Sequence, residues 1–516
     1  MRLKNLFFAI ALIIPLGLSA QEFIESESCT SILVGKAASV DGSTMTSHSC
    51  DSGSDRTWIN IPPAQKYKKG DECAIYLEPK RAKGPNDPDR IEVGYIPQVR
   101  QTYAFVNTAY PCINEHQLAI GETTFGGKRE MVSSNGLIDC PELYRLALER
   151  AKTAREAIMV LDELTLKYGY NDVGECFTFA DPNETWHFEI LGPGKGKVGA
   201  VWAAVRIPDE EIGVSANSSR IRTIDLTDSN NYMASKNVFS LAEELGFWSA
   251  ESGQTFEFCY VYANRKSIGS RRREWLALSS VAPSLKLDPN GENFPLSVKP
   301  DKKVTVKDIL SIFRNYYQDT PYDMTRLLTT VNRDGEVIKS PVANPFMNRD
   351  TRGLLKVPYE RSICCARATY LMVTQSRSWL PDPVGGIVWL GYDNPATTPH
   401  VPIYCGISTM PESYMIGGRE KFRTDCAWWA FRRVSQLCGF RYQAMSKDVE
   451  KVWSEIEEQA FANQSEFESH FLDLYKKDPK KAIEVLTKYS VDIANGAVER
   501  YWKLGDELWT NYTRYF

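Results

Sequence analysis

The sequence predicts an α+β fold in which antiparallel strands pack against layers of helix. Hairpin patterns recur through the first 200 residues, and helical patterns interrupt them after residue 140. Three charged segments near the carboxyl terminus have a helical period and contain no internal proline. The composition, 43% hydrophobic and 24% charged, is that of an ordinary globular protein and argues against extended disorder.

Residues 1–20 are typical of a secretory signal peptide. Arg2 and Lys4 precede an apolar run, and the small residues Ser19 and Ala20 follow it. The run is too short for a spanning helix, and no later stretch reaches the roughly eighteen uncharged residues that one needs. We therefore expect export to the periplasm or the extracellular space after removal of this peptide, and no stable membrane insertion.

The next pattern predicts a hairpin that begins near Cys29. Residues 30–35 and 43–47 have the composition of strands, and Asp41-Gly42 between them is a turn signal. Antiparallel pairing across this turn places Cys29 beside Ser49, Cys50 or Asp51.

The remaining elements follow in order along the chain. Residues 55–98, rich in Pro, Lys and Asp, predict a long surface excursion. Helices are expected from Pro141 and from the capping box that Thr153 and Glu156 form. Further strands are predicted at 102–108, 117–124, 176–180, 185–190, 198–207, 363–374 and 386–392, and further helices at 420–437, 447–475 and 480–511.

Composition and motifs exclude several classes of protein. A formal net charge of −4 is not the footprint of a nucleic-acid-binding protein. The five histidines are scattered without metal-ligand spacing, which argues against a zinc hydrolase. Neither a Gly-x-Ser-x-Gly elbow nor a phosphate-binding loop is present. We expect no cofactor and no metal. The twelve cysteines permit disulfides in an exported chain, but their pairing stays open.

Cys29 is the strongest candidate for chemistry. Cleavage between Ser28 and Cys29 would place a thiol and a free α-amine on one residue. An α-amine titrates at about 7.7–8.0, so it can accept the thiol proton near neutral pH without help from a histidine. Such a site also needs a carboxylate near the amine, a cation near the thiol and donors for the oxyanion. The hairpin makes Asp51 the candidate carboxylate.

Several segments together resemble the dipeptidase A type of amino-terminal-nucleophile (Ntn) cysteine hydrolases. The resemblance covers nearly all of the chain after residue 28, and its first half is distantly similar to bile salt hydrolases and penicillin V acylases. The segments are Cys29-Thr-Ser-Ile-Leu-Val-Gly35, Asp41-Gly-Ser-Thr-Met45, residues 114–126, residues 145–157, Asp319-Thr-Pro-Tyr-Asp-Met324, residues 377–389 and Trp428-Trp-Ala-Phe431.

This resemblance implies a four-layer αββα sandwich. It divides the chain into a signal peptide at 1–20, a short propeptide at 21–28, a catalytic domain at 29–415 and a helical region at 416–516 that packs on it. The chain departs from the family pattern at His48, where relatives usually carry arginine.

The resemblance also implies roles for individual residues. Asp51 matches the carboxylate near the amine, Asn217 the side-chain oxyanion donor, and Thr124 a second oxyanion contact. The acylases carry asparagine at the position of Thr124, so its contribution is by side chain or by backbone N–H alone. One arginine of Arg271-Arg-Arg273 matches the cation beside the thiol, and Arg273 is favoured.

The function implied is hydrolysis of dipeptides or short peptides through an acyl-enzyme on Cys29. Two alternatives stay open. One is an amidase of N-acyl amino acids or conjugated bile acids, and the other is an inactive exported binding protein on the same scaffold. The sequence also leaves a homo-oligomer open.

Overall fold

The computed structural model describes residues 28–264 and 267–514 of the 516-residue chain. The predicted signal peptide, and all of the predicted propeptide except Ser28, lie outside the described residues. Within the described ranges, no helix combines the length and the apolar composition that crossing a bilayer requires.

The first large sheet, called sheet A here, contains the start of the described chain. A three-stranded and a four-stranded antiparallel sheet meet where Thr30 bridges Ser49 and Val34 bridges Met45. The predicted hairpin is confirmed, and its register brings Cys29 opposite Cys50. The strands lie in the order Ser297–Val298, Ile212–Ser215, Ser31–Val34, Ser47–Cys50, Tyr370–Gln375, Ile387–Tyr392 and Val401–Tyr404.

The second large sheet, sheet B, has seven antiparallel strands and carries Thr124. Strands Gly174–Ala180, Thr185–Leu191 and Val201–Ile207 follow one another directly and pair as two consecutive hairpins, which the sequence pattern of alternating strand and turn signals predicts. The strands lie in the order Tyr232–Ala234, Val201–Ile207, Thr185–Leu191, Gly174–Ala180, Ala119–Gly126, Ile113–Asn114 and Phe105–Val106.

The two sheets approach each other closely near Cys29. Ser31 Oγ donates to the carbonyl of Glu122 at 3.0 Å, and the hydroxyls of Thr46 and Thr178 lie 2.8 Å apart. At Gly121 a Cβ atom would stand 2.3 Å from the carbonyl oxygen of Ser47, so only glycine fits there. Hydrogen bonds and small residues therefore hold sheet A against sheet B.

Helices contact both sheets. Tyr144, on helix Cys140–Arg150, donates to the carbonyl of Gly121 in sheet B at 2.6 Å, and Arg273, on helix Ile268–Val281, bonds to the carbonyl of Ala216 just beyond a strand of sheet A. The other helices are Ala154–Tyr168, Ser240–Glu244, Phe258–Tyr262, Val306–Phe313, Arg349–Leu355, Asp382–Gly385, Glu412–Met415, Ala427–Cys438, Tyr442–Lys477 and Pro479–Thr513.

The carboxyl-terminal region is helical, as predicted, and shares its hydrophobic core with the sheets. Buried residues of the last three helices, such as Phe431, Phe471 and Tyr501, belong to the same cluster as Trp389 of sheet A. Trp389 stacks on Phe461 at 3.9 Å between ring centroids. The division between a catalytic domain and this region at residue 415 stays a prediction.

Three segments differ from their sequence-based expectation. The excursion at 55–98 contains a partly exposed strand pair, Glu72–Leu77 with Ile91–Pro97. The predicted strand at 363–374 starts only at Tyr370, because the backbone before it bonds to loops instead; the N–H of Cys364, for example, bonds to Asn315. The helix predicted from residue 420 begins at Ala427.

Two shorter strand pairs complete the described structure, at Gln65–Lys66 with Gln101–Thr102 and at Thr329–Val331 with Val337–Lys339.

Candidate active site

Cys29 immediately precedes Thr30, whose bridge to Ser49 joins the two parts of sheet A. Its side chain is almost fully buried, with 3% of the residue exposed. Burial raises the pKa of its thiol well above the ordinary value, and the charge of Glu122 raises it further. A hydrogen bond from the backbone N–H of Asp51 opposes these effects only in part. With Ser28 still attached, Cys29 is therefore a protonated thiol at neutral pH.

Asp51 follows strand Ser47–Cys50, which explains its position beside Cys29. Its Oδ2 accepts hydrogen bonds from Arg361 and, at 3.2 Å, from the hydroxyl of Ser49. Its other carboxylate oxygen, Oδ1, is buried and has no hydrogen-bond partner among the described residues. Burial raises the pKa of Asp51, and the charge of Arg361 counteracts this rise. An orphaned carboxylate oxygen is costly in a protein interior and indicates an absent donor.

Arg361 connects Asp51 to the residue before the candidate nucleophile. Besides its ion pair with Asp51, its guanidinium donates to Ser28 Oγ at 3.0 Å and to the Ser28 carbonyl at 3.1 Å. That carbonyl belongs to the peptide bond whose cleavage would free the amine of Cys29. Sequence reasoning missed Arg361, since it stands in an irregular segment 310 positions from Asp51.

Arg273 contacts the nucleophile residue directly. Its Nη1 donates to the backbone carbonyl of Cys29 at 2.6 Å and to Thr30 Oγ1 at 2.9 Å. Burial, and next the charge of Arg361, lower its pKa to about 10, which leaves it cationic at neutral pH. Its neighbours point elsewhere: Arg271 bonds to backbone carbonyls of a surface turn, and Arg272 pairs with Glu360.

Asn217 stands just beyond strand Ile212–Ser215 with a left-handed backbone, at φ 56°. Its Nδ2 donates to the carbonyl of Thr124 at 2.6 Å, and its Oδ1 accepts from Arg273 at 2.9 Å. A guanidinium can only donate and a carbonyl can only accept, so these two contacts fix the orientation of the amide. One hydrogen of Nδ2 stays free of these contacts.

Thr124 lies on sheet B, two residues beyond Glu122. Its hydroxyl donates to Glu122 Oε1 at 3.1 Å, and its carbonyl receives Asn217. The side chain of Thr124 is therefore already engaged, which favours a positioning role for it over direct contact with an oxyanion.

Glu122 and His48 form a buried pair next to the thiol. His48 Nε2 and Glu122 Oε2 lie 3.3 Å apart, and a ring nitrogen of His48, a carboxylate oxygen of Glu122 and Cys29 Sγ all lie within 4.8 Å of one another. Burial acts to raise the pKa of Glu122, but His48 and Glu175 outweigh it, so this pKa is lowered. The pKa of Glu175 is raised by burial and by Glu122, so Glu175 is the protonated partner. Glu122 is the second group that sequence reasoning missed.

The structure thus brings all five predicted site residues into one connected network. Asn217 and Arg273 touch each other, and Thr124 touches Asn217. Arg273 contacts the backbone of Cys29, and Asp51 donates a backbone hydrogen bond to the thiol.

All twelve cysteines fall within the described ranges, and the structure pairs none of them. Cys50, opposite Cys29, instead lies 3.2 Å from a carboxylate oxygen of Asp55.

Comparison with known proteins shows which proteins the whole chain resembles. The chain is 25% identical over 453 residues to a protein of Latilactobacillus sakei described as a probable dipeptidase, with 84% of this chain and 86% of the relative covered. It is 22% identical over 492 residues to probable dipeptidase B of Streptococcus pyogenes serotype M1, with 92% and 91% covered. A probable dipeptidase B of Lactococcus lactis subsp. lactis is 26% identical over 415 residues, with 78% and 79% covered. The model of peptidase family C69 matches residues 28–455, and the chain therefore belongs to that family.

Proposed function

We propose that the protein is a cysteine dipeptidase whose nucleophile is the thiol of Cys29, activated by its own α-amine after cleavage of the Ser28–Cys29 bond. The family and the names of the relatives support peptide-bond hydrolysis. The observation that carries the mechanism is the orphaned Oδ1 of Asp51. Cleavage would release an ammonium group beside a buried carboxylate that has one oxygen without a donor.

Arg361 supports the same assignment. One of its nitrogens, Nη2, bonds both the Ser28 carbonyl and Asp51, so a single cation joins the bond to be cut to the carboxylate that would receive the new amine. After cleavage, the ammonium would satisfy Oδ1 while Arg361 keeps Oδ2. The carboxylate would then hold the amine next to the thiol on the same residue.

Apart from water, the proposed catalytic cycle uses only groups of this network. The neutral α-amine takes the thiol proton and becomes the ammonium that Asp51 holds, and the thiolate attacks the scissile carbonyl of the peptide, forming a carbon–sulfur bond. The free N–H of Asn217 donates to the resulting oxyanion, and Arg273, bonded to the amide oxygen of Asn217, strengthens that donor by polarising it. The ammonium then protonates the departing amine as the carbon–nitrogen bond breaks. Water hydrolyses the thioester and restores the thiol.

We extend this proposal to the fold and to the export and processing of the chain. Two facing sheets with helices against each are consistent with the αββα sandwich of Ntn hydrolases. Export, with loss of residues 1–20 and then of the propeptide through residue 28, would expose the amine of Cys29. This step has to precede activity because an acylated nitrogen cannot act as a base.

The test is the mass and the amino-terminal residue of protein purified from an exporting host. We expect wild-type protein to begin at Cys29, and Cys29→Ala to retain residues ahead of position 29. The matched control is Cys438→Ala, another buried thiol, in the carboxyl-terminal region; this variant should be processed like wild type.

The processed protein is then assayed on dipeptides and on N-acyl amino acids. Cleavage of dipeptides, lost in Cys29→Ala, is the expected result. Preference for N-acyl amino acids or conjugated bile acids would reassign the protein as an amidase. A wild-type protein that keeps residue 28 and cleaves neither substrate class would contradict the proposal and point to a binding protein.

A further inference from the structure

We propose that the Cys29 thiol, His48 Nε2 and Glu122 Oε2 form a binding site for one thiophilic divalent cation of the zinc class. The regulatory consequence below rests on the proposed function, but the binding itself does not. A ligand atom of each residue lies within 4.8 Å of the ligand atoms of the other two, and all three residues are buried. Thiolate, imidazole and carboxylate are the ligands that zinc takes in proteins.

The first supporting observation is a pair of unsatisfied atoms. His48 Nε2 and Glu122 Oε2 are both buried and have no hydrogen-bond partner among the described residues, although they lie only 3.3 Å apart. Two ligands on zinc at bond lengths of about 2.0–2.2 Å and a tetrahedral angle stand roughly 3.3 Å apart. The observed separation therefore fits two neighbouring ligands of one metal ion.

The second observation concerns the other ring nitrogen of His48. His48 Nδ1 lies 3.3 Å from the hydroxyl of Tyr370, whose own hydrogen can point to the carbonyl of Tyr110 at 3.4 Å. In the tautomer that donates Nδ1–H to this hydroxyl, the lone pair of Nε2 faces the Glu122 carboxylate. Two lone pairs facing each other repel unless a proton or a metal cation lies between them. Metal-bound histidines in proteins donate their second N–H to such an acceptor.

Glu122 is supported in the same way. Its Oε1 accepts from the Thr124 hydroxyl at 3.1 Å, and its Oε2 has no hydrogen-bond partner among the described residues, which leaves Oε2 for the cation. The free α-amine of processed Cys29 would supply a fourth ligand, because the sulfur and nitrogen of an amino-terminal cysteine close a five-membered chelate ring on one metal ion. Propeptide removal would therefore complete the site.

The consequence is a reversible block on the enzyme. A bound cation holds both the thiolate and the lone pair of the amine, so neither nucleophile nor base is available to the substrate. Loss of the cation restores both. The site thus makes the processed enzyme sensitive to free zinc.

The test uses processed, metal-free protein titrated with Co²⁺ and with Zn²⁺. Co²⁺ should produce a thiolate-to-cobalt charge-transfer band that saturates at one ion per chain. Zn²⁺, whose affinity is measured by competition with a chromophoric chelator, should displace Co²⁺.

His48→Gln should weaken zinc binding about tenfold or more. His116→Gln is the matched control, because His116 also pairs with a carboxylate, Asp382, at 3.1 Å but stands outside the site. Its zinc affinity should stay within about twofold of wild type.

The possible results of this titration separate the metal site, its regulatory role and the proposed function. A wild-type protein without the thiolate-to-cobalt band overturns it, whatever the variants do and whether or not they fold, and identifies a proton between His48 and Glu122. Equal zinc affinity in wild type and His48→Gln also overturns it. Metal binding without dipeptide cleavage would leave the site standing and remove the proposed function. Dipeptide cleavage that saturating zinc does not inhibit would overturn the regulatory role.

Discussion

At the scale of single residues, the orientation of the Asn217 side-chain amide is the feature that we expect to affect kcat most directly. Asn217 is fixed by a donor on one side and an acceptor on the other, and this leaves one N–H to meet the oxyanion. We expect Asn217→Ala to lower kcat about 10²- to 10³-fold with little change in KM, because the lost donor acts on the charge that develops in the transition state. Steady-state kinetics on a cleaved dipeptide measure this.

The control for that substitution is Asn237→Ala. Asn237 also donates to a backbone carbonyl, that of Ala200 at 3.1 Å, but contributes nothing to the network around Cys29. Its kcat should match wild type. An Asn217→Ala enzyme that raises KM at unchanged kcat would show that Asn217 binds substrate and does not stabilise an oxyanion.

The raised pKa of the Cys29 thiol predicts how the rate of cleavage between Ser28 and Cys29 depends on pH. In the unprocessed chain its pKa is raised, mainly by burial and next by Glu122, and no free α-amine is yet present. The thiolate fraction therefore grows about tenfold per pH unit below that pKa, and attack on the Ser28 carbonyl should accelerate accordingly from about pH 6 to about pH 9. The raised pKa of Asp51 acts in the same direction, since acid would protonate it and weaken its pair with Arg361.

Mass spectrometry of unprocessed chain, refolded and sampled over time at each pH, gives this rate. Cys29→Ala supplies the baseline for any cut made by other proteases. A rate that stays flat or falls with rising pH would mean that the thiol of Cys29 does not cut the chain.

At the scale of elements, one helix explains why a run of three arginines yields a single site residue. Successive side chains on helix Ile268–Val281 point about 100° apart, so Arg271, Arg272 and Arg273 cannot share a partner. They reach a surface turn, Glu360 and Cys29 respectively. The sequence could name the run, but only packing of the helix on sheet A decides which arginine is buried.

The elements that local chemistry specifies were predictable. The Asp41-Gly42 turn and its flanking strands imply the hairpin that sets Asp51 beside Cys29, and the Thr153 cap begins helix Ala154–Tyr168 as expected. Pro479 at the first turn separates the two longest helices.

Arg361 and Glu122 were not predictable in this way. Arg361 lies in a segment without regular period, and Glu122 lies on a strand whose pattern shows only that it is a strand. Their roles come from contacts between elements far apart in sequence, which no local pattern encodes.

At the scale of the whole molecule, a buried ion pair joins the carboxyl-terminal helices to the end of helix Val306–Phe313. Glu457, on helix Tyr442–Lys477, pairs with Arg314 at 2.5 Å and accepts from the backbone N–H of His400 at 2.7 Å, and its Oε1 lies 3.0 Å from the ring nitrogen Nδ1 of His400. Burial alone would raise the pKa of Glu457, but Arg314 and His400 outweigh it and hold this pKa at about 2. The ionised carboxylate therefore stabilises the attachment of these helices.

This pair predicts how the molecule responds to acid. The pKa of Glu457 is about 2 in the folded chain against an ordinary value of 4.5, so its contribution to the free energy of unfolding is complete above about pH 4.5 and is lost as the pH falls toward 2. A shift of this size corresponds to on the order of 3 kcal/mol. We expect Glu457→Gln to lower the free energy of unfolding by about that amount at neutral pH, because it leaves the buried Arg314 without its counter-ion. The deficit should shrink as wild type loses the same contribution in acid.

The control is Glu484→Gln, which removes only an exposed pair with Lys481 and should stay within about 0.5 kcal/mol of wild type at every pH. Denaturant unfolding across the acid range measures the free energy of unfolding of all three proteins. If the curves of free energy against pH for wild type and Glu457→Gln run parallel, Glu457 does not anchor the helices through its charge.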